Sequence, residues 1–360
     1  RDYPVLPPLL SSMFCLIRYP MKHFAFFTSA KPLHTRRSVL LSCTWLLAGT
    51  LGMQAPKAFA QEFPPKKNIT MVVGFVAGGA ADMGARIIAK RLGENLGVSV
   101  TVENKAGAGG NIAHQFTATG PADGSVLLLG SVGPLAIAPH MMKLPYDPVK
   151  DLAPLTMAVN FPNVLVVHPG AGIKTFADFL AFARKNPGTI TFASTGPGSA
   201  AHLAGELLND MAHLDTVHVP YKGGAAALQD VLGGRVTGWY ATMATAAPHI
   251  EAGKLIPLAS TGAQRLTSLP KVPTIAESGF TGFNATNWYA FVASSKVPKP
   301  VLDRWNTELV KVLTTPDVVE QLNKHGLTPM PGTRDELARY MATDTAMWGR
   351  VIRERKIAGD

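Results

Sequence analysis

Short apolar runs alternate with amphipathic ones along most of this chain. Strand-like segments, β-branched or alternating in polarity, fall at residues 69–75, 98–103, 126–129, 164–167, 189–193, 217–219, 238–241 and 256–259, with Val98, Val100 and Val102 sharing one face. Helical periodicity lies between them, as at 85–96 and 176–185. Such alternation predicts an α/β fold, a parallel sheet with helices on its faces. The end of the chain differs: 300–314, 316–326 and 333–357 read as three helices with no strand between. No internal repeat and no low-complexity segment is visible after residue 60.

The segment VVGFVAGGAADMGAR, residues 72–86, runs from an apolar strand through a glycine pair into a helix. Glycines let the backbone turn sharply and approach a ligand, and the helix aims unpaired N–H groups and its positive dipole end at the same place. This is either an ordinary strand-to-helix turn or an anion site made of main chain. It has no phosphate-loop lysine, so a carboxylate suits it better than a triphosphate. A second loop, Ser194-Thr195-Gly196-Pro197-Gly198-Ser199, also precedes a helix and offers hydroxyls and amides as donors.

The front of the chain changes the charge picture. Residues 1–20 lack an initiating methionine and are proline-rich, so Met21 is the expected start, with Met13 as the alternative. Basic Lys22, Lys31, Arg36 and Arg37, an apolar run at 38–52 and Ala58-Phe59-Ala60 form a secretory leader cleaved after Ala60. Thr35-Arg36-Arg37-Ser38-Val39-Leu40 also resembles a twin-arginine signal. Residues 1–60 hold 7 of the 34 Lys and Arg and 1 of the 24 Asp and Glu. Without them the net charge falls from +10 to +4, which removes the basic footprint that nucleic-acid binding would need. Both cysteines, Cys15 and Cys43, lie in the same segment, leaving the remainder without disulfide, thiolate metal site or thiol nucleophile.

Other candidate chemistry is sparse. No G-x-S-x-G elbow surrounds any serine of the second loop, so these serines read as hydrogen-bonding or capping residues. His202 and Glu206 share a helix face, but two ligands do not make a metal site. Asp82 suits the first turn of its helix better than an anionic ligand. The Lys105 to Gly110 loop lacks dinucleotide register and serves to start the next helix close to the first. Lys222 precedes Gly223 and Gly224 in the wrong order for a phosphate loop, although the helix they open borders any cleft. No cofactor is implied.

The motifs GFVAGGAADMGAR (74–86), VENKAGAGGNI (102–112), PYDPVKDL (145–152), STGPGSAAHLAGE (194–206), HVPYKGGAAALQDVLGGRV (218–236), GKLIPLA (253–259) and LPKVPTIAESGF (269–280) keep a shared order and spacing. Together they make the chain resemble the periplasmic solute receptors of the tripartite tricarboxylate transporter group, the Bug family. The resemblance implies a two-lobed, hinged type II periplasmic binding fold, each lobe a mostly parallel sheet flanked by helices. The first lobe would span 64–162 with 287–360, the second 163–286. It further implies a monomer that captures a small organic acid and passes it to membrane permease subunits; a receptor for a sensor kinase and an enzyme on the same fold are the alternatives. The expected ligand contacts are Phe75, Ala77, Gly78, Gly79, Ala80, Ser131, Val132, Ser194, Thr195, Gly196, Gly198, Ser199 and Ala241. In VTGWYAT (236–242) the family often carries aspartate where Thr237 and Ala241 stand here. That departure disfavours an amino-acid ligand and favours a plain organic acid with an aromatic or apolar body, on which Trp288 and Tyr289 could stack.

Overall fold

The computed structural model describes residues 63–64 and 68–357. The expected leader, its cleavage point, the start methionine and both cysteines lie outside them. In chain order the elements are β1 (Ile69–Val73), α1 (Ala80–Leu96), β2 (Val100–Asn104), α2 (Asn111–Ala118), β3 (Val126–Ser131), a π-helical turn (Gly133–Ile137) and β4 (Leu152–Val167). Then come α3 (Phe176–Lys185), β5 (Thr191–Ser194), α4 (Ala200–Ala212), β6 (Val217–Pro220), α5 (Gly224–Leu232), β7 (Gly238–Thr242), α6 (Met243–Glu251) and β8 (Ile256–Ser260). The chain ends with β9 (Thr286–Ser294), α7 (Lys299–Leu313), α8 (Pro316–Lys324), β10 (Thr328–Pro329) and α9 (Arg334–Arg355).

Two sheets share β4. In the first half the order is β2-β1-β3-β9-β4, with β10 also on β4; in the second it is β6-β5-β7-β4-β8. The predicted parallel pairing holds within β2-β1-β3 and β6-β5-β7, while β9 and β4 pair antiparallel with their neighbours as they cross between halves. Strand order and the helix after each strand therefore repeat, β1-α1-β2-α2-β3 matching β5-α4-β6-α5-β7. The repeat is one of topology, invisible in the residues themselves.

Burial follows the strand period of two. On β1, Ile69, Met71 and Val73 pack with Ile88, Leu92, Trp305 and Leu309, while Val72 faces the opposite layer with Ala113 and Trp348. Each such side chain taken out of water is worth about 1.5–3 kcal/mol, so these rows fix the sheet between α1 and α7 on one side and α2 and α9 on the other. Helices α3 and α9 open on capping boxes, Thr175 with Asp178 and Thr333 with Glu336, and each box satisfies two otherwise orphaned donors.

Two expectations need correction. The tail is not free of strands, because the two-residue β10 pairs antiparallel with Asn160 and Val159 between α8 and α9. Strand β4 also begins far earlier than residue 164. Proline at 154 and 162 and register shifts near Pro154 and Met157 break its polar alternation, and burial along most of its length removes the rest. Among the described residues no helix is long and apolar enough to cross a membrane.

Candidate functional site

Loops at the carboxyl ends of β1, β3, β5, β6 and β7 converge between the two halves. After β1, Gly74 has no room for a side chain: a Cβ there would stand 2.9 Å from the Gly110 Cα, which seats the glycine-rich loop before α2 against the strand. Gly78 carries the turn with φ +81°, a value that favours glycine. Gly79 is extended at φ −85° and uses no special conformation. The Asp82 carboxylate ties the loop down, accepting from the Gly78 N–H, the Arg86 Nε and the Asn104 Nδ2, each at 3.0 Å. Burial alone would raise its pKa, but these hydrogen bonds and the Arg86 charge outweigh it and hold the carboxyl below the ordinary range. Asp82 faces its own loop.

In the second half Ser194 ends β5 beneath the loop. Its Oγ lies 2.6 Å from His218 Nε2 and accepts from the Gly196 N–H at 3.0 Å. Ser199 caps α4 by accepting from the His202 N–H at 3.3 Å, and His202 Nδ1 accepts from the Gly198 N–H at 3.2 Å. The His202 and His218 rings stack 4.0 Å apart. These imidazoles shape the loop from behind, and no group of three or more potential metal ligands gathers among the described residues.

The converging loops enclose about 510 Å³ of space between atoms, the open mouth included. Four helices point their N-termini at it. Helix α1 enters through Gly79, Ala80 and Ala81, α4 through Ser199, Ala200 and Ala201, α5 through Gly224 and α6 through Thr242. Helices α1, α5 and α6 have no side chain bonded across their N-terminus, so their first N–H groups remain available. Phe75, Trp239, Tyr240 and Tyr289 supply aromatic walls, and burial pushes both tyrosine phenols well above their ordinary range. No charged side chain lines the space among the described residues. Five buried polar atoms of the lining have no partner: Ser131 Oγ, Asn163 Nδ2 and Oδ1, Trp239 Nε1 and Asn287 Oδ1.

Of the residues expected from sequence, the cavity gathers Phe75, Gly79, Ala80, Ser131, Val132, Thr195 and Ser199. Ala77 and Gly78 are exposed, and Gly196 and Gly198 meet the opposite half instead, the first at Gly109 and the second at Ala138. Ser194 is fully buried on His218. Ala241 packs in the apolar core of the second half with Val164 and Val166, while its neighbours Tyr240 and Thr242 line the space. Tyr289 is in the lining, but Trp288 points away, donating its indole N–H to Asp344 at 2.9 Å. Asn163, Trp239 and Asn287 escaped sequence reading. They sit inside strands rather than loops, where only knowledge of the crossing point reveals that they face a cavity.

Comparison with known proteins accords with this architecture. Residues 84–357 match the family described as the tripartite tricarboxylate transporter family receptor. Protein BugT of Bordetella pertussis is 35% identical over 317 residues, 88% of this chain and 97% of its own. A solved R. palustris protein, Rpa4515 with adipate, superposes with a TM-score of 0.79 at 33% identity, covering 82% of this chain and 99% of that one. MatC of Rhodopseudomonas palustris with bound malate gives 0.76 at 28% identity over 80% and 99%. A cavity built from helix ends between two sheets that share a strand, and matches that cover nearly the whole of these relatives, lead to one assignment: the chain belongs to the tripartite tricarboxylate transporter receptor family.

Proposed function

We propose that this protein is a periplasmic solute receptor that captures a small organic carboxylate between its halves and delivers it to a membrane permease. The observation that carries this reading is the convergence of four helix N-termini on a cavity without charged side chains. Each helix end behaves as roughly half a positive charge, so an anion is attracted without the desolvation cost of burying a lysine or arginine. Relatives solved with adipate and malate support the ligand class. The two lobes would comprise 64–162 with 287–360 and 163–286, acting as a monomer after export and cleavage following Ala60. Binding without reaction suits the lining, whose titratable side chains among the described residues are tyrosines held protonated by burial. Nucleic acid has no place in this reading.

The test is calorimetry with the solute identified by mass spectrometry of natively purified protein. The ionised acid should bind, and its methyl ester or primary amide should bind at least about tenfold more weakly, the loss of one or two charge-assisted hydrogen bonds. Equal binding of acid and ester would defeat the carboxylate reading. Small-angle scattering should show contraction on binding.

A further inference from the structure

We propose that the ligand carries, besides its carboxylate, a hydroxyl group that engages Asn163, Asn287 and Trp239, and that this part of the cavity rejects a second carboxylate. The proposal rests on the carboxylate reading above and adds the chemistry of the ligand's other end. Asn163 is 1% exposed, yet both its amide oxygen and its amide nitrogen lack partners; Trp239, equally buried, leaves its indole N–H unpaired, and the Asn287 oxygen is likewise alone. All three residues line the same space. Leaving such groups dry and unpaired is costly, so the arrangement calls for an occupant that answers them.

The atoms specify which occupant. An amide oxygen only accepts and an indole N–H only donates, so the answering group must both give and receive a proton. A carboxylate could receive from Trp239 and from the Asn163 nitrogen. It would then set its own oxygens against those of Asn163 and Asn287, acceptor against acceptor, with the helix N-termini and no charged side chain to offset the repulsion. An ammonium group would suit the two oxygens but meet the indole N–H and the positive helix ends, with no carboxylate side chain beside it. A hydroxyl donates once and accepts twice, so it can accept from the Trp239 and Asn163 N–H groups and donate to one of the two amide oxygens without placing a second charge in a closed space.

Calorimetry on the purified protein with two matched series tests this: benzoate, para-hydroxybenzoate and terephthalate, and hexanoate, omega-hydroxyhexanoate and adipate. In at least one series the hydroxy acid should bind about tenfold or more tightly than both the unsubstituted acid and the diacid. Trp239→Phe keeps the ring and removes the N–H, and should lower the ratio of hydroxy-acid to unsubstituted-acid affinity severalfold; Asn163→Leu should act in the same direction. Melting curves establish that each variant is folded, and if Asn163→Leu is not, Trp239→Phe decides alone. A diacid or unsubstituted acid that binds as tightly as the hydroxy acid, an unchanged ratio in Trp239→Phe, or no binding across both series overturns the proposal. Para-hydroxybenzamide separates the two readings: if it equals para-hydroxybenzoate, the carboxylate reading fails, whatever the hydroxyl contributes.

Discussion

The backbone N–H of Val76 donates to the Lys222 carbonyl at 3.3 Å, joining the loop after β1 to the loop after β6. Glycines bring the halves close together at further points. Gly109 lies against the Pro197 carbonyl, Gly223 against Val76, and Gly133 against Gly198 and Ser199. Side chains at these positions would hold the halves apart.

Gly133→Ala isolates this effect. Its backbone is in a conformation open to any residue, yet a Cβ would stand 2.8 Å from the Gly198 carbonyl oxygen. The clash exists only when the halves meet, so the variant should fold normally and lose about tenfold or more in ligand affinity through the cost of closing. Small-angle scattering with bound ligand should report a larger radius of gyration than the parent. Equal affinity and equal contraction would mean that the loops yield freely.

Gly78 and Gly79 should part company on substitution. Alanine at Gly78 must adopt φ +81°, at a cost of about 1–2 kcal/mol, and should lower the melting temperature. Alanine at Gly79 meets nothing nearer than the Val76 oxygen at 3.7 Å, so stability should hold while its methyl group obstructs the cavity wall and weakens binding. Melting and calorimetry on both variants check the pair; a destabilised Gly79→Ala with intact affinity would reverse the assignment.

Asp82→Ala should destabilise by about 1–3 kcal/mol, since it strips the Gly78 N–H, Arg86 and Asn104 of their shared acceptor. Its folded pKa lies below the ordinary value of 3.8. The stabilisation is therefore present above that value and is lost as pH falls through the folded pKa. Chemical denaturation of parent and variant near neutral pH and at about pH 3 should give converging stabilities; a constant gap would remove the carboxylate's charge from the account.

The reading from sequence succeeded where chemistry is local. Gly78, Asp82 and Ser199 announce turn, cap and helix start within a few residues, and α3 falls where its periodicity places it. It failed where the outcome depends on the partner strand. Nothing near Asn163 or Trp239 tells an amide or indole in a buried strand from one facing a cavity, and Ala241, at the end of a strand, was expected in a cleft that its neighbours line instead. The shared topology of the two halves was hidden for a similar reason, because strand order is decided by pairing across the chain and not by residue identity.

His114 should make the fold acid-sensitive. It is fully buried, and its Nδ1 donates to the Gly110 carbonyl at 2.9 Å; burial lowers its pKa from 6.5 to about 4, against the weaker opposing pull of that bond, so the ring is neutral at neutral pH. The unfolded chain binds the proton more readily, so this contribution rises with pH through the window from about 4 to 6.5 and is complete above it. Acidification across that window should cost up to about 3 kcal/mol. His114→Gln, which can keep a donor to Gly110, should show a flatter dependence of melting temperature on pH. A variant as steep as the parent would assign the loss to other groups.

Strand β4 changes sheets between Pro162, which pairs with Thr286 of β9, and Asn163, which pairs with Thr242 of β7. Proline has no N–H to give up at that step, and Asn163 is anchored beyond it by Thr261, whose Oγ1 accepts the Asn163 N–H and whose own N–H reaches the Asn163 carbonyl, both at 2.9 Å. A rotation of one half against the other about this point moves the nearest groups least. In the proposed binding mode Asn163 works with almost no lever arm: its grip on a ligand would be nearly the same in an open and a shut molecule and would contribute little to shutting it. The loops that carry Gly79 and Ser199 come from opposite halves, so such a rotation changes the gap between them. In the proposed binding mode recognition and closure are therefore separate tasks, the chemical choice made at the axle and the mechanical drive supplied by loops that the two halves bring together.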